Sequence, residues 1–522
     1  PSTPVGGTEV QLPADVTSGE LLIKFDPQMT EILDRTLKVA TRSGGAATRS
    51  GIPSTDEVLD ILGAYHFERI FPVDVKNEER TRSAGLHLWY RVKFDENTDL
   101  KEAASRLAKL GEISKVQANG HIKRAYNTKG YRSYISEAAL QQKSAIRAVT
   151  ASGRFSDPGL PYQWHYINSG TNEFDNKNGL NNGSEAGCDV GCTEAWKKCT
   201  GDPAIIVAVL DEGVMHSHPD LRDNMWMNEG EELYADTDKD GNGYKDDKYG
   251  YNFVSDTGII SWMEAEDSGH GTHVAGTIAA VNGNGEGVCG IAGGDGRENS
   301  GVKIMSCQVF SGINGVTLDA EAKAIKYAAD NGAVILQCSW GYNSSLANMI
   351  EGYSPGPGSE EEWENMYPLE KEALDYFINN AGSPNGVIDG GLAIFAAGNE
   401  YAGMAAFPAA YSKCISVSAV VGQDDPESWS EGIYSGSILS TWIQNGTATY
   451  GFMDGTSMAC PHVSGVAALG LSYAYQQRRH FKASEFIELL KASVKPLDSW
   501  YGNGKVKKYY RNHLSVGASL TQ

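Results

Sequence analysis

The hydrophobic pattern of the first 125 residues predicts a small unit of mixed strands and helices. Residues 20–25 form a short apolar run, and residues 86–94 alternate between apolar and polar side chains, as in a strand buried on one face. Residues 100–110 then carry apolar side chains at helical spacing, and residues 113–122 are typical of a further strand. The pattern therefore predicts an α+β domain.

Beyond residue 155 the pattern changes to short apolar strands that alternate with helices. Each strand is apolar along most of its length, which is typical of strands buried on both faces. The predicted strands span residues 204–210, 302–310, 333–338, 391–396 and 414–421. The predicted helices span residues 319–331, 369–380, 457–475 and 484–494. This alternation predicts an α/β fold, with a parallel sheet covered by helices on both faces.

The segment between these two regions has a different composition. Residues 126–154 are rich in Lys, Arg, Ser, Gln and Ala and have no sustained apolar period. Such a composition is typical of an exposed connector that a protease can cut. We expect an N-terminal domain at residues 1–125, a connector at 126–154 and a larger domain at 155–522.

Composition and charge disfavour several classes of protein. The 522 residues include 66 acidic and 44 basic side chains, for a formal net charge of −22. Nucleic acids and anionic membranes are bound by surplus Lys and Arg, so neither is an expected partner. The sequence has no apolar stretch of transmembrane length. Its 8 cysteines are too few for a disulfide scaffold and match no zinc-binding spacing.

Three segments carry residues that together can perform nucleophilic catalysis. Asp211 follows an apolar strand, His270 begins a helix rich in small residues, and Ser457 lies at the amino end of another such helix. Ligands bind at the carboxyl ends of parallel strands, and a helix amino end favours developing negative charge. A serine nucleophile needs a base, and the base needs an acid that orients it. The three residues supply these three roles.

Other side chains in the same segments compete for these roles. His273 lies one turn after His270, His462 lies inside the serine helix, and Cys460 follows Ser457 by three residues. We expect Cys460 to project from a different side of the helix than the serine. We expect the two additional histidines to satisfy local hydrogen bonds and the cysteine to pack in the core.

The three segments resemble the subtilisin-like serine peptidases, the subtilases, over residues 155–510. The motifs that carry the resemblance are Asp211-Glu-Gly, Asp267-Ser-Gly-His-Gly-Thr-His and Gly455-Thr-Ser-Met-Ala. The resemblance implies a subtilisin-like fold in which Asp211 is the orienting acid, His270 the general base and acid, and Ser457 the nucleophile.

The resemblance also implies substrate-binding residues. The Asn399 amide would bind the oxyanion together with the backbone N–H of the nucleophile. Ser339, Trp340 and Gly341 resemble the extended edge segment that pairs with substrate backbone in β-fashion. Glu400 is expected near the first specificity pocket, where it would favour basic or polar side chains.

The sequence departs from the family pattern at three places. Glu212 replaces the hydroxyl residue that usually follows the aspartate, and a second carboxylate there is expected to perturb the titration of Asp211 and His270. Residues 422–439 are shorter than the corresponding family segment. Residues 342–368 are an additional acidic stretch, which is either a rim of the cleft or a solvated surface insertion.

An acidic run at residues 236–247 predicts a calcium site. Oxygen ligands stand at alternate positions, and glycines let the backbone wrap around an ion. Two registers fit, one that starts at Asp236 and one that starts at Asp238. The predicted ligands are Asp236, Asp238, Asp240, Asn242, Tyr244, Asp246 and Asp247. Ca²⁺ is expected to be structural, because it would hold a loop that precedes His270.

Residues 1–125 have strand and helix patterns like those of a subtilase propeptide, a small ferredoxin-like α+β domain. If they form one, the chain is a zymogen with its own prodomain as intramolecular inhibitor. Residues 121–126, or a later part of the connector, would then occupy the active site. An accessory binding domain is the competing interpretation.

Two functions follow from these observations. The leading prediction is an exported serine endopeptidase that is stabilised by calcium and hydrolyses polypeptide substrates through an acyl-enzyme. The alternative is a catalytically crippled, calcium-stabilised binding protein of the same fold, because Glu212 and residues 422–439 depart from the family.

Overall fold

The computed structural model of the chain describes residues 12–13, 16–43, 47–124, 132–147, 155–168, 189–263, 269–345, 355–382, 385–400, 406–419 and 438–494. Within these ranges, no helix is both long and apolar enough to cross a membrane.

The bounds of the strands and helices are as follows. The strands are β1 (Val16–Phe25), β2 (His66–Arg69), β3 (Trp89–Lys93), β4 (Ile113–Lys123), β5 (Arg132–Ile135), β6 (Ile206–Glu212), β7 (Gly250–Asn252), β8 (Lys303–Ser311), β9 (Asn314–Thr317), β10 (Ile335–Cys338), β11 (Ile388–Asp389), β12 (Leu392–Ala396), β13 (Ile415–Val417), β14 (Ile438–Gln444), β15 (Thr447–Met453) and β16 (Phe481–Lys482). The helices are α1 (Thr30–Ser43), α2 (Pro53–Ile61), α3 (Glu78–Ser83), α4 (Leu100–Ala108), α5 (Glu137–Arg147), α6 (Cys192–Ala195), α7 (His270–Ala279), α8 (Leu318–Asp330), α9 (Glu360–Met366), α10 (Pro368–Asn380), α11 (Thr456–Gln476) and α12 (Ala483–Ser493).

The N-terminal region is a ferredoxin-like unit. Its four strands form an antiparallel sheet in the order β4-β1-β3-β2. Helices α1 and α2 connect β1 to β2, the short α3 lies between β2 and β3, and α4 connects β3 to β4. Leu21 and Ile23 of β1, Val92 of β3 and Leu107 of α4 share one buried core. The predicted α+β fold of this region is therefore confirmed.

The strand predicted at residues 86–94 is shorter in the structure. Leu86–Leu88 forms a turn of 3-10 helix, and the strand begins at Trp89. Val92 and Phe94 pack in the core of the N-terminal unit, as the alternation indicated, whereas Leu86 and Trp89 pack in a core that includes the larger domain. The alternating pattern identified the face but not the point where the strand starts.

The larger domain has the predicted α/β architecture. Strands β13, β12, β10, β6 and β8 are parallel neighbours in that order. Val207 and Val209 of β6 face the core formed with α7 and α11, whereas Ala208 and Leu210 face the core formed with α8 and α10. Because both faces are buried, these strands are apolar at successive positions. The predicted parallel sheet with helices on both faces is confirmed.

The two regions share one sheet of 11 strands, because β4 of the N-terminal unit pairs with β9 of the larger domain. The N-terminal sheet also covers α8 and α10. Trp89 Nε1 donates to Glu372 at 2.8 Å, and the Gln117 side chain accepts from the backbone N–H of Leu369 at 2.9 Å. These two hydrogen bonds attach the unit to α10, Arg91 donates to Asp319 of α8 at 3.0 Å, and β4 attaches the unit to the sheet edge.

Part of the segment predicted to be a connector is folded. Strand β5 pairs with β15, and α5 follows it. Ile135 and Leu140 are buried in a small core with Leu439 and Tyr450. This differs from the expected exposed connector, because a four-residue strand gains its stability from the neighbouring hairpin rather than from a long apolar pattern of its own.

Two buried carboxyl groups, those of Glu321 and Glu370, lie near the segment that follows β10. Glu370 accepts hydrogen bonds from Tyr342 Oη at 3.0 Å and Trp363 Nε1 at 2.6 Å. Glu321 lies against Glu370, and its carboxyl oxygens have no other donor among the described residues. Burial raises the pKa of Glu370 to about 7, and burial together with repulsion by Glu370 raises the pKa of Glu321 well above its usual range. Burial therefore favours the neutral form of both acids in the folded state.

We expect this pair to make stability depend on pH. Because the pKa of Glu370 is raised from 4.5 to about 7 on folding, the stability that it contributes is complete below pH 4.5 and is lost as the pH rises through about 7. Glu321→Gln gives the Glu370 carboxylate a third donor, so the variant should lose less stability between about pH 5 and about pH 8, by on the order of 1 kcal/mol. Urea unfolding in a Ser457→Ala background, which avoids self-digestion, measures the difference. Glu298→Gln at an exposed site is the matched control, and an unchanged pH dependence in Glu321→Gln would contradict the prediction.

Candidate active site

The carboxyl end of β6 and the start of α7 bring an aspartate and a histidine into contact. His270 Nδ1 lies 2.7 Å from Asp211 Oδ1, and the same oxygen accepts from the backbone N–H of Glu212 at 2.7 Å. Asp211 is 2% exposed and His270 is 3% exposed. A carboxylate at Nδ1 fixes the proton on that nitrogen and leaves Nε2 as the ring nitrogen that can accept another.

Glycines make this contact possible. A Cβ atom at Gly271 would lie 2.2 Å from the carbonyl oxygen of Glu212, and one at Gly276 would lie 2.1 Å from Thr441 Oγ1. Helix α7 therefore lies directly against β6 and β14, which a helix with larger side chains could not do. The small residues noted in the sequence around His270 serve this close approach.

Ser457 is the second residue of α11 and joins the same region through Ser339. The Ser457 hydroxyl donates to the carbonyl of Ser339 at 3.2 Å, and the Ser339 hydroxyl donates to the carbonyl of Ser457 at 2.9 Å. Ser339 follows Cys338, which pairs with Leu210, the residue before Asp211. The carboxyl ends of β6 and β10 thus bring the aspartate, the histidine and the serine to the same end of the sheet, where the Ser457 hydroxyl donates to Ser339.

Asn399 lies at the start of the serine helix. Its side-chain oxygen accepts from both the backbone N–H and the hydroxyl of Thr456, each at 2.9 Å. Gly455, which precedes Thr456, has φ of 134°, a backbone conformation that other residues rarely adopt. With its oxygen held by Thr456, the amide nitrogen of Asn399 can donate to a further acceptor.

The segment predicted to bind substrate backbone is already paired with the N-terminal unit. The backbone N–H of Gly341 donates to the carbonyl of Lys123 at 3.2 Å, and Arg124 forms an antiparallel bridge with Trp340. On the opposite side, β4 pairs with β9. The end of β4 therefore lies between two edges of the larger domain. The indole of Trp340 is 1% exposed and donates to the carbonyl of Leu210, so this residue offers its backbone rather than its side chain.

Glu212 lies inside this cleft. Its Oε1 accepts from Arg124 at 2.9 Å, and its Oε2 accepts from the backbone N–H of His270 at 3.0 Å. The Glu212 side chain is 2% exposed and that of Arg124 is 12% exposed. The sequence identified Glu212 as a departure from the family, but its partner became visible only in the fold.

Glu400 lies beside Asn399, as its position in the chain requires. Burial raises the pKa of its carboxyl, although backbone amides including that of Ser344 donate to it. A Cβ atom at Gly398 would lie 2.3 Å from the carboxylate, so the side chain folds back over that glycine.

The competing residues have the structural roles that were expected. His273 Nε2 donates to the carbonyls of Ile438 and Gly451, each at 3.0 Å, and His462 Nδ1 donates to Met458 at 2.8 Å. Burial lowers the pKa of His273 to about 3 and that of His462 to about 4. Cys460 is buried, with Sγ 3.4 Å from the Gln337 side chain.

The acidic run forms a cluster that differs from the predicted ligand set. Carboxylate oxygens of Glu231, Asp238 and Asp240 all lie within 4.8 Å of one another. Backbone N–H groups of Gly241 and Gly243 donate to Asp238 at 2.8 and 2.9 Å. Glu231 is buried, and its Oε2 has no hydrogen-bond partner among the described residues. Three converging carboxylates with an unsatisfied buried oxygen fit a hard divalent cation such as Ca²⁺.

The structure places the other predicted ligands in different interactions. The exposed Asp236 pairs with Lys245, and Asp246 accepts backbone N–H groups of a turn. Asn242 uses its oxygen to accept from the backbone N–H of Tyr244 and its nitrogen to donate to Asp247. Asp236, Asp246 and Asp247 thus lie outside the three-carboxylate cluster, whereas Asn242 and Tyr244 stay predicted ligands. Sequence reasoning missed Glu231, whose signal is the acidic sequence Glu229-Gly-Glu-Glu that precedes the run.

The two other departures from the family pattern are only partly described. Residues 420–437, which include most of the short segment at 422–439, lie outside the described residues, as do residues 346–354. In the additional acidic stretch, α9 places Trp363 in the core, where its ring stacks on Phe407 at 5.4 Å between centroids. This part of the stretch is anchored to the domain.

Comparisons with known proteins agree with this geometry. Residues 202–504 match the subtilase family, peptidase S8. The chain is 26% identical over 427 residues to a thermophilic serine proteinase from Bacillus sp. strain AK1, an alignment that covers 80% of this chain and 85% of that protein. It is 31% identical over 328 residues to the major intracellular serine protease of Bacillus subtilis strain 168, covering 60% of this chain and 83% of that protein.

Among solved structures, the fold is similar to that of fervidolysin from Fervidobacterium pennivorans. The TM-score is 0.51 at 21% identity, and the alignment covers 98% of this chain and 62% of that chain. The fold and the family together define a serine hydrolase. The chain belongs to the subtilase family of subtilisin-like serine peptidases.

We expect Gly271→Ala to separate the aspartate from the histidine. The added methyl group would meet the Glu212 carbonyl at 2.2 Å, so α7 must move away from β6, at a cost of roughly 1–3 kcal/mol in stability. Labelling of the serine by a fluorophosphonate probe should slow on the order of 100-fold, because small displacements of a catalytic base have large effects. Gly382→Ala is the control, since its Cβ would meet its nearest atom only at 3.8 Å. Equal labelling rates in the two variants would contradict the prediction.

Proposed function

We propose that this chain is a serine endopeptidase in which Asp211, His270 and Ser457 form the catalytic triad and Asn399 contributes to the oxyanion hole. The observation that carries the proposal is the 2.7 Å contact between Asp211 and His270 at the same sheet edge as Ser457. The serine belongs to a helix amino end, where the dipole favours the developing oxyanion.

The proposed reaction follows from these positions. The Ser457 hydroxyl turns from the Ser339 carbonyl, gives its proton to His270 Nε2 and attacks the substrate carbonyl carbon. The resulting oxyanion accepts from the Ser457 backbone N–H and from Asn399 Nδ2. The tetrahedral intermediate then expels the amine, which takes the proton from His270, and leaves an acyl-enzyme. A water molecule repeats the sequence and releases the acid.

The carboxylate after the catalytic aspartate is compatible with this function. Glu212 was the main reason to consider a crippled binding protein. Its charge is paired with Arg124 and its second oxygen holds the backbone of His270, while the Asp211–His270 contact is short. These contacts favour the peptidase over the binding protein.

We also propose that the N-terminal unit is a prodomain that inhibits the enzyme, so that the chain is a zymogen. In support, β4 enters the cleft and Lys123 pairs with Gly341, which a substrate backbone would otherwise do. Beyond the cleft, β5 is paired with β15, so residues 125–131 connect two segments held on the same domain. We place the processing site in residues 125–131 and assign β5 and α5 to the mature enzyme, with the inhibitor at 1–125.

Self-processing should be visible in the purified full-length chain. We expect the wild type to split into two fragments with a new amino terminus within residues 125–131, because these residues follow the cleft-bound strand. Ser457→Ala should remain a single chain, since it lacks the nucleophile. Mass spectrometry of both proteins after equal incubation measures this, and a fluorophosphonate probe checks that the wild type is reactive. A reactive but uncut wild type would contradict self-processing, and a wild type that stays unreactive after its N-terminal unit has been removed by limited proteolysis would contradict the triad.

A structural calcium ion is part of the proposal. Glu231, Asp238 and Asp240 would hold it, and the ion would neutralise their mutual repulsion and stabilise the loop before α7. Asp238 fits this role because three backbone N–H groups already orient its carboxylate. The chemistry that the ion supplies is charge neutralisation, and no catalytic step passes through it.

Calcium should therefore stabilise chelator-treated protein. We expect heat on titration with Ca²⁺ and a higher melting temperature, equivalent to about 2.7 kcal/mol at 100 times the dissociation constant. Asp238→Asn should weaken both effects. Asp236→Asn is the matched control, because this exposed carboxylate pairs with Lys245 outside the cluster. The absence of both heat and a melting shift in the wild type would exclude the site.

Substrates and location complete the proposal. The substrates are extended polypeptides, bound along the backbone of Ser339 to Gly341, and Glu400 contributes to the first specificity pocket. Export is supported by relatives described as extracellular, among them the halolysin-like extracellular serine protease of Natrialba magadii. The Bacillus subtilis relative is described as intracellular, so family membership alone does not decide the compartment.

A further inference from the structure

We propose that Glu212 makes the cleft selective for polypeptides with an arginine or lysine at the position that Arg124 occupies, the second residue on the amino side of the cleaved bond. This inference rests on the proposed peptidase function and names a substrate class for it.

The position of Arg124 relative to the nucleophile follows from the pairing. Arg124 lies opposite Trp340, and the preceding residue Ser339 bonds through its carbonyl to the Ser457 hydroxyl. In an antiparallel pair, the residue that follows the one opposite Trp340 comes opposite Ser339. A substrate that lies along the same edge therefore presents its second residue before the cleaved bond to Glu212.

Glu212 is fixed in a geometry that suits a cation. The backbone N–H of His270 holds Oε2 at 3.0 Å, and Oε1 faces the Arg124 guanidinium at 2.9 Å. The neighbouring helix is packed so tightly that a Cβ atom at Gly271 would lie 2.2 Å from the Glu212 carbonyl. The carboxylate is therefore presented in a preset position, and a ligand need not order it.

Because the Glu212–Arg124 ion pair is buried, the site should favour a basic substrate side chain over a neutral or acidic one. Because the Glu212 side chain is 2% exposed, its charge is costly without a partner, and Arg124 at 12% exposure is also largely removed from water. When the prodomain leaves, a basic substrate side chain can replace Arg124. A neutral side chain would leave the carboxylate covered and without this ion pair, and an acidic one would add repulsion.

The backbone contacts described along this edge do not discriminate between sequences. Gly341 binds the carbonyl of Lys123, and Trp340 contributes backbone, so both accept any residue. Within the described cleft, a charged side chain at this position is thus recognised through an ion pair with Glu212.

Peptide cleavage by the processed enzyme tests the proposal. Internally quenched peptides would differ only in Arg, Lys, Ala or Glu at this position, and mass spectrometry would verify that the same bond is cut. We expect kcat/KM for Arg to exceed that for Ala by at least about 30-fold, the scale of losing one partner of a buried charge pair. In Glu212→Gln the Arg to Ala ratio should fall below about 3-fold. Glu194→Gln, an exposed carboxylate paired with Lys197, is the matched control and should keep the wild-type ratio.

A second measurement does not depend on catalysis. In the uncut Ser457→Ala chain, Arg124→Ala should accelerate amide hydrogen exchange of Gly341 by at least about tenfold, because the N-terminal strand is held less firmly in the cleft. Glu212→Gln should have a similar effect, and the double variant should add little to it. Arg297→Ala, which removes an exposed ion pair with Asp295, is the control. Since Arg124→Ala leaves Glu212 intact, this measurement stands even if Glu212→Gln fails to fold.

The two measurements separate failure of the inference from failure of the proposed function. A wild-type Arg to Ala ratio near one, or a ratio that Glu212→Gln leaves unchanged, would overturn the selectivity. Unchanged exchange of Gly341 in Arg124→Ala would overturn the role of the ion pair in the cleft. A wild type that the fluorophosphonate probe does not label would instead overturn the peptidase function, while the exchange measurement would still decide whether Glu212 holds a basic residue.

Discussion

The 2.7 Å contact between Asp211 and His270 is the constraint on which the rest of the site depends. It requires a helix to lie directly against a strand, and glycines at positions 271 and 276 permit that approach. The same close packing of α7 against β6 places the backbone N–H of His270 near Glu212. It therefore positions both the proposed catalytic base and the neighbouring carboxylate. On the other side of the sheet edge, Ser339 connects the strand ends to Ser457. The site is thus a consequence of close backbone packing more than of any single side chain.

The N-terminal unit completes surfaces that the larger domain leaves open. Its strand β4 continues the sheet through β9, and its own sheet covers α8 and α10. An unpaired sheet edge is a site where another strand can add. The edge next to the proposed catalytic residues pairs with the chain's own segment in the manner proposed for a substrate, so one surface would serve both the proposed inhibition and the proposed recognition. Cleavage near this strand would change the occupant of the cleft without any rearrangement of the catalytic residues.

An acidic chain must compensate each carboxylate that it buries, and the described structure does so in different ways. Glu212 is paired with Arg124, and Asp319 is paired with Arg91 at 3.0 Å. Glu370 receives two hydrogen bonds, and burial raises the pKa values of both Glu370 and its neighbour Glu321, which favours their neutral forms. The Glu231 cluster has converging carboxylates and an unsatisfied oxygen, which is why a cation is proposed there and nowhere else among the sites discussed. Each of these buried carboxylates is thus compensated differently, and Glu212 and the Glu231 cluster are the two for which a function is proposed.

The sequence by itself determined the fold class, the family and the three candidate catalytic residues, because apolar periodicity and glycine-rich motifs are local signals. It also identified the ferredoxin-like unit, although the strand at Trp89 begins later than the alternation indicated. Only the tertiary structure decided that β5 pairs with β15, that Glu231 joins Asp238 and Asp240, and that Arg124 meets Glu212. These contacts join residues whose separation in the chain is unrelated to any helical or strand period, and their partners are set by packing. A pattern along the chain indicates which face of a helix or strand is buried, but only the tertiary structure identifies the residues that pack against that face.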